Sequence, residues 1–256
     1  MDIISLQNPR VKNVVKLRED KRQRQREGLI LVEGWDEISL AIASGLKPRT
    51  LFTAPELVSR QIDGISSEIL TVNRVVFEKM SYRENPDGWL ALFLTPLTSL
   101  ENLKLSDNPL VIVAESVEKP GNLGAILRTA DAADVDALLV CDPRVDLYNP
   151  NVIRASRGAI FSVACIETSN HDALKYLHDH KMRILAATPQ ADTLYTDVDL
   201  KQPLAIIVGT EDNGLTNFWL KNADVNVKIP MLGKVNSLNV SIATALITYE
   251  ALRQRS

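Results

Sequence analysis

From Leu110 onward, short apolar runs alternate with helix-length stretches. The runs 110–115, 137–141, 162–166, 184–187, 204–209 and 225–229 are strand-sized, and 122–133, 150–157, 171–179, 215–221 and 238–253 read as helices. Strands apolar on both faces and separated by helices fit an α/β fold with a mostly parallel sheet covered on both sides. Ligands of such sheets sit beyond the carboxyl ends of the strands. The loops after 115, 209 and 229 are therefore where chemistry is expected.

Upstream the pattern describes a smaller α/β unit. A helix over 9–26 opens at Asn8-Pro9, with Pro at an early helical position, and Gly28 ends it. Strands follow at 29–32, 50–53, 69–72 and 90–94, with helices at 35–44, 55–62 and 73–80. The stretch TPLTSLENLKLSDNP has two prolines and no clear period. It reads as a linker over 96–108, between a domain at 1–95 and a second at 109–256.

The chain has 256 residues, 45% hydrophobic and 24% charged, a soluble globular composition. Its apolar runs are far short of a membrane span. The start, MDIISLQNPRVK, lacks the build of a secretion signal. Cys141 and Cys165 each follow apolar runs and are expected as buried thiols in a reducing cytosol, so a cytoplasmic location without a membrane partner is expected. His171, His178 and His180 bring no supporting cysteine or His-Glu pattern, and no metal site is expected. The net charge of −3 gives no general pull toward nucleic acid. Residues 10–26, however, hold eight basic side chains (Arg10, Lys12, Lys16, Arg18, Lys21, Arg22, Arg24, Arg26) against Glu19 and Asp20, a local +6. Such a stripe can grip phosphates, although most charge runs are solvated helix faces.

Three segments at strand ends stand out. In EKPGNLGAILR, 118–128, Pro120 and Gly121 break the chain, Asn122 and Gly124 open a helix, and Arg128 lies less than two turns in. GNLG lacks the GxGxxG spacing, which weighs against a dinucleotide enzyme. In IIVGTEDNGL, 206–215, a buried strand runs into Gly209 and a polar turn with Glu211; a glycine there lets a ligand approach the backbone. In IPMLGKVNSLNVSIA, 229–243, Gly233 bends the loop and Ser237 is the expected N-cap of the last helix. Backbone groups in that loop can read an adenine edge while Ile229, Met231 and Leu238 sandwich its faces. Singly, each segment also reads as an ordinary turn, a solvated loop or a helix cap.

Together, in this order, they resemble the SpoU (TrmH-like) family of RNA ribose methyltransferases of the SPOUT superfamily. The resemblance covers 109–253: N-x-G-A-I-x-R-T-A at 122–130, G-x-E-x-x-G at 209–214, I-P-M…S-L-N-V-S at 229–241, and IRASRGA at 153–159. SLQNPRVK at 5–12 and LVEG at 31–34 are similar to the family's N-terminal substrate-binding domain, which resembles a ribosomal RNA-binding protein. Glu115 and Glu118 stand where the family often has aspartate, and Asn236 where it often has an acid.

The resemblance implies a deep trefoil knot, an exception to unknotted topology, with S-adenosylmethionine (SAM) bound there. It also implies a homodimer whose sites draw on both subunits, and methyl transfer to a ribose 2′-hydroxyl. Large-subunit ribosomal RNA is the first expected substrate and transfer RNA the second. A non-catalytic RNA-binding module and a base-methylating relative are the alternatives. Carried over residue by residue, Arg128 acts on the hydroxyl, Asn122 and Glu211 hold it or the RNA backbone, and Ser237 and Asn239 shape the site. Gly209, Ile229, Met231 and Leu238 line the SAM pocket, with Thr188 beside it. Arg10, Lys12, Arg22, Arg24, Arg26 and Arg154 are expected to bind RNA. A guanidinium, with a pKa above ~12, is a poor base, so Arg128 is expected to stabilise charge rather than take the proton.

Overall fold

The computed structural model describes residues 3–62, 67–210 and 213–256. The chain divides into two compact units: 1–97 with 146–162, and 98–145 with 163–256.

In the first unit, α1 (Pro9–Glu19) starts where the Asn8 side chain accepts the Arg10 N–H, and it buries Val11, Val14 and Leu17. The helix expected over 9–26 is two helices. Asp20 takes an extended conformation (φ −115°, ψ 115°) and its carboxylate accepts the Arg22 N–H at 2.8 Å, capping α2 (Lys21–Glu27). An Asp that bonds the backbone ahead of it offers the chain an alternative to continuing the helix. Then come β1 (Leu29–Glu33), α3 (Trp35–Ala43), β2 (Pro48–Thr53), β3 (Glu68–Thr71), α4 (Arg74–Met80) and β4 (Trp89–Leu94). The sheet order is β1-β4-β2-β3, with β2 and β3 parallel and the other pairs antiparallel. The stretch 55–62 is a turn at 55–57 followed by irregular chain, rather than the expected helix. Two of its carbonyls are taken by indoles: Trp89 Nε1–H donates to Arg60 O and Trp35 Nε1–H to Gln61 O.

In the second unit, β5 (Leu110–Glu115), α5 (Pro120–Ala132) and β6 (Ala137–Cys141) come first. Residues 146–162, which hold α6 (Pro150–Ala155), belong to the first unit, where α6 packs on β1. The second unit resumes with β7 (Ala164–Thr168), α7 (Asn170–Asp179), β8 (Arg183–Ala187), β9 (Thr193–Leu194), β10 (Leu204–Val208), α8 (Asn217–Asn222), β11 (Val225–Lys228) and α9 (Val240–Arg255). Its sheet runs β7-β6-β5-β10-β8-β11-β9, and every pairing is parallel. β5, β6 and β10 are buried along their whole length, which is why they read as unbroken apolar runs. β9, two residues long, has no such run and was not expected. Cys141 and Cys165 are free and buried; burial pushes both thiols up, Cys165 to about 12. Among the described residues, no helix is long and apolar enough to cross a membrane.

Candidate active site

Three neighbouring strands of the second unit, β10, β8 and β11, end side by side, and the segments that follow enclose a cavity of about 560 Å³. Such a volume lies within the ~300–1,000 Å³ of small-molecule sites. Thr188 and Gln190 follow β8, Gly209 follows β10, and Ile229 and Met231 follow β11; Ser237 and Leu238 close the wall before α9. The structure therefore brings Thr188, Gly209, Ile229, Met231, Leu238 and Ser237 to one cavity. Among its described lining residues there is no charged side chain. The wall combines apolar surface from Val208, Ile229, Met231 and Leu238 with short polar groups.

Gly209 has a reason within the chain itself, beside the one expected. A Cβ there would come within 2.3 Å of Gly214 O and 2.6 Å of Leu215 N. The close approach is made by the chain itself, where Thr210 and Gly214 exchange both backbone hydrogen bonds at 3.1 Å. Gly214 sits at φ +65°, a conformation that favours glycine. Glu211, expected in the site, lies outside the described residues.

Behind this turn stands a residue that sequence reasoning noted only as a departure. Glu115, at the carboxyl end of β5, is 1% exposed. Its oxygens accept from Thr216 N (2.8 Å), Thr216 Oγ1 (2.7 Å) and Asn170 Nδ2 (3.0 Å). Asn170 Oδ1 in turn accepts the Trp219 Nε1–H at 2.6 Å. A buried carboxylate satisfied by several donors fixes the loop end that leads from the cavity into α8. Asn226, on β11, is a lining residue that no sequence signal marked. Its Nδ2 donates to Leu220 O at 3.1 Å, and its buried Oδ1 has no partner among the described residues.

Asn239, rather than Ser237, is the N-cap of α9: its Oδ1 accepts Ser241 N at 3.0 Å and Ser241 Oγ at 2.6 Å. The helix accordingly starts at Val240. The Asn239 Nδ2 donates to Asn122 Oδ1 at 3.1 Å, joining the starts of α9 and α5. Arg128 is exposed on α5. Arg128, Asn122 and Asn239 are not among the cavity's lining residues.

Of the side chains expected to bind RNA, Lys12, Arg22, Arg26 and Arg154 are exposed. Arg10 is half-exposed and pairs with Glu68 at 2.8 Å. Arg24 is a correction. It is 4% exposed, and its guanidinium is committed to Asp146 (3.0 and 2.5 Å) and Leu17 O (2.6 Å). It fastens the 146–162 segment to the end of α1, which commits the guanidinium inside the protein.

Residues 109–249 match the model of the SpoU rRNA Methylase family, and residues 8–91 match an MRM3-like substrate binding domain. A 23S rRNA (uridine(2479)-2′-O)-methyltransferase of Streptomyces viridochromogenes is 30% identical, across 98% of this chain and 92% of that protein. A solved RNA 2′-O ribose methyltransferase superposes with a TM-score of 0.89 at 40% identity, covering 100% of this chain and 99% of the other. The AdoMet-bound rRNA methyltransferase from Sinorhizobium meliloti does so with a TM-score of 0.89 at 26% identity, over 99% and 97%. With its family model matched across more than half its length and its strand-end cavity in place, this chain belongs to the SpoU rRNA methylase family.

Proposed function

We propose that this chain is a SAM-dependent methyltransferase that modifies a ribose 2′-hydroxyl of ribosomal RNA. The observation that carries the reading is the cavity at the ends of β8, β10 and β11, in a chain that belongs to this family. Its residues fit SAM. The apolar side chains suit the faces of an adenine, the polar ones its edge and the ribose, and the orphaned Asn226 Oδ1 suits a ligand that brings N–H donors. Bound there, SAM supplies the electrophilic methyl group. Thr188, Gly209, Ile229, Met231 and Leu238 hold and orient it, so that in-line geometry is set before reaction. Ser237 closes the wall toward the reacting end.

Arg128 serves the hydroxyl. Its fork orients the ribose oxygen or the adjacent phosphate and stabilises charge developing on that oxygen. Asn122, held by Asn239, and Glu211 set the surroundings of that fork. Because Arg128 lies on α5 and does not line the cavity, the site is completed by a second copy, as a homodimer. One face of α9 supports this: Ile242, Leu246, Tyr249 and Leu252 are exposed at helical spacing, while Val240, Thr244, Ile247 and Ala251 are buried on the other. The trefoil knot and a cytoplasmic setting, in which the two buried thiols stay free, go with this reading. Lys12, Arg22, Arg26 and Arg154 bind phosphates without reading sequence.

The test is calorimetric titration of the purified protein with SAM, followed by mapping of ribose methylation in ribosomal RNA from a deletion strain. Saturable SAM binding and one ribose that loses its methyl group support the reading. A folded protein that binds no SAM, alone or with ribosomal RNA, overturns it.

A further inference from the structure

The first unit carries two arginine–aromatic pairs outside the basic stripe 10–26, one on the exposed ring of Tyr82 and one on the half-buried ring of Trp35. Arg154 Cζ lies 5.3 Å from the ring centroid of Tyr82, which is 44% exposed. Arg60 Cζ lies 5.1 Å from the ring centroid of Trp35. The pairs are linked. Asp36, beside Trp35, meets Arg60 and Arg157 at 3.4 Å each, and Arg157 follows Arg154 by three residues. Contacts therefore lead from Trp35 through Arg60 and Asp36 to Arg157, and Arg154, on the same short segment, carries Tyr82.

Tyr82 is presented by a fixed turn. The Glu33 carboxylate accepts the Tyr82 N–H at 2.7 Å and the Ser81 hydroxyl, and the Ser81 Oγ accepts the Arg83 N–H at 3.0 Å. Arg83 is itself held by Glu37 at 2.6 Å and by Glu33 O at 3.1 Å. This gives a role to the LVEG stretch at 31–34 that capping alone does not. An aromatic ring held ready at a surface costs little ordering when a ligand arrives.

We infer that this face, Trp35, Arg60, Tyr82, Arg154 and Arg157, holds unpaired bases of the RNA by stacking, next to phosphates gripped by the arginines. The inference rests on the RNA-substrate reading and deepens it to single-stranded or looped-out RNA. Charge favours a polyanion, because the exposed Arg60, Arg154 and Arg157 have only the exposed carboxylate of Asp36 among these contacts, while Glu33 and Glu37 are taken up inside the turn. Chemistry decides for unpaired bases, because exposed rings and guanidinium planes stack on open bases, whereas the bases of an A-form duplex already stack on one another. Arg154 and Arg157 lie outside the stretch matched to the substrate-binding domain, so the 146–162 segment contributes its own part of the RNA surface.

The test is fluorescence anisotropy on the full chain, with a fluorescein-labelled single-stranded RNA of mixed sequence and a blunt RNA duplex as probes. Tyr82→Ala is expected to weaken single-strand binding about 10-fold and to leave duplex binding unchanged, in line with stacking worth ~1–3 kcal/mol per base. Tyr82→Phe, which keeps the ring, stays within about twofold of wild type. Arg154→Gln and Arg157→Gln each lower the salt slope for the single strand by about 0.7. SAM titration of the same variants is expected to match wild type, and urea unfolding followed by tryptophan fluorescence, with Trp35 and Trp89 in the first unit, reports that this unit is folded. Unchanged single-strand affinity in Tyr82→Ala, or equal weakening toward the duplex, overturns this face alone. A wild-type protein that binds neither probe overturns the RNA reading and this face with it.

Discussion

The cavity and the Arg128 group belong to the same seven-stranded unit but are built by opposite means. The cavity is made of strand ends, glycine-dependent turns and small polar groups, with no charged side chain among its described lining residues. The side chains proposed to act on the hydroxyl sit on helices instead: Arg128 in the second half of α5, and Asn239 capping α9 and bonded to Asn122 in the first turn of α5. On the proposed function, the cavity, shaped by where the chain runs, binds the cofactor, and the side-chain group presents the chemical function that reacts. Damage to each should therefore be told apart by which constant moves.

The largest effect is expected from Arg128→Ala. It should lower kcat about 10²–10³-fold, the scale for removing one donor from a charge-stabilising site, and leave the SAM dissociation constant unchanged. Arg128→Lys should fall nearly as far, since an ammonium lacks the planar fork. Single-turnover kinetics with calorimetry in parallel checks both. A variant with weakened SAM binding and normal kcat would merge the two regions into one.

A mixing experiment sharpens the comparison further. Thr188→Trp fills the cavity, and Arg128→Ala removes the guanidinium. If one copy supplies the cavity and the other the arginine, co-refolding the two inactive variants should restore roughly a quarter of wild-type turnover. Half of randomly paired dimers are mixed, and each mixed dimer keeps one intact site. No recovery in a mixture shown to exchange subunits would mean that both regions act within one chain.

Third in size is the brace behind the cavity. Glu115→Ala leaves Thr216 N–H and Thr216 Oγ1 without their acceptor, removes one of the two acceptors of Asn170, whose Nδ2 also donates to Asp142, and should cost about 2–4 kcal/mol of stability, read from urea unfolding. Glu115→Gln, which keeps one acceptor, should cost less. Gly209→Ala is more local. Its Cβ meets the Gly214 backbone, which has no flexible end to give way, so the turn must open. Overpacking of this kind costs about 1–3 kcal/mol, and SAM affinity should drop by about 10-fold with kcat at saturating SAM much less affected. An unperturbed Gly209→Ala would mean that the turn moves freely and does not shape the cavity.

What the sequence made legible follows the same division. The cavity residues could be found because glycine and proline at the ends of apolar runs mark strand-to-loop junctions, and a parallel sheet places its ligands there. The path of the first unit was harder to read. The basic run 10–26 shows charge but not which face packs. Arg24 is buried by Asp146, which lies 122 residues away in sequence, and no local period announces such a partner. In the sequence Asp20 is one of two acids in a basic run, whereas its side chain caps the second of two helices that meet there. The stretch 55–62 has helix length but loses two carbonyls to Trp35 and Trp89. Each miss came from a distant or backbone-directed side chain overriding local spacing.

The smallest expected effect probes the link between the two regions. Asn239→Ala removes the cap of α9, worth about 1 kcal/mol, and the hydrogen bond to Asn122. Asn239→Ser and Asn239→Asp both restore a cap. Asn239→Ser keeps a short hydroxyl donor, and Asn239→Asp has no donor for Asn122 Oδ1, so the Asn122 amide must turn over and lose its present orientation to stay bonded. All three should fold, and Asn239→Asp should recover the stability lost in Asn239→Ala. If Asn239 only caps, turnover will track stability and Asn239→Asp will be active. If its second task is to hold Asn122 beside Arg128, Asn239→Asp will be stable yet slow, with SAM affinity intact. That outcome would place the junction of α5 and α9 on the reacting side of the molecule.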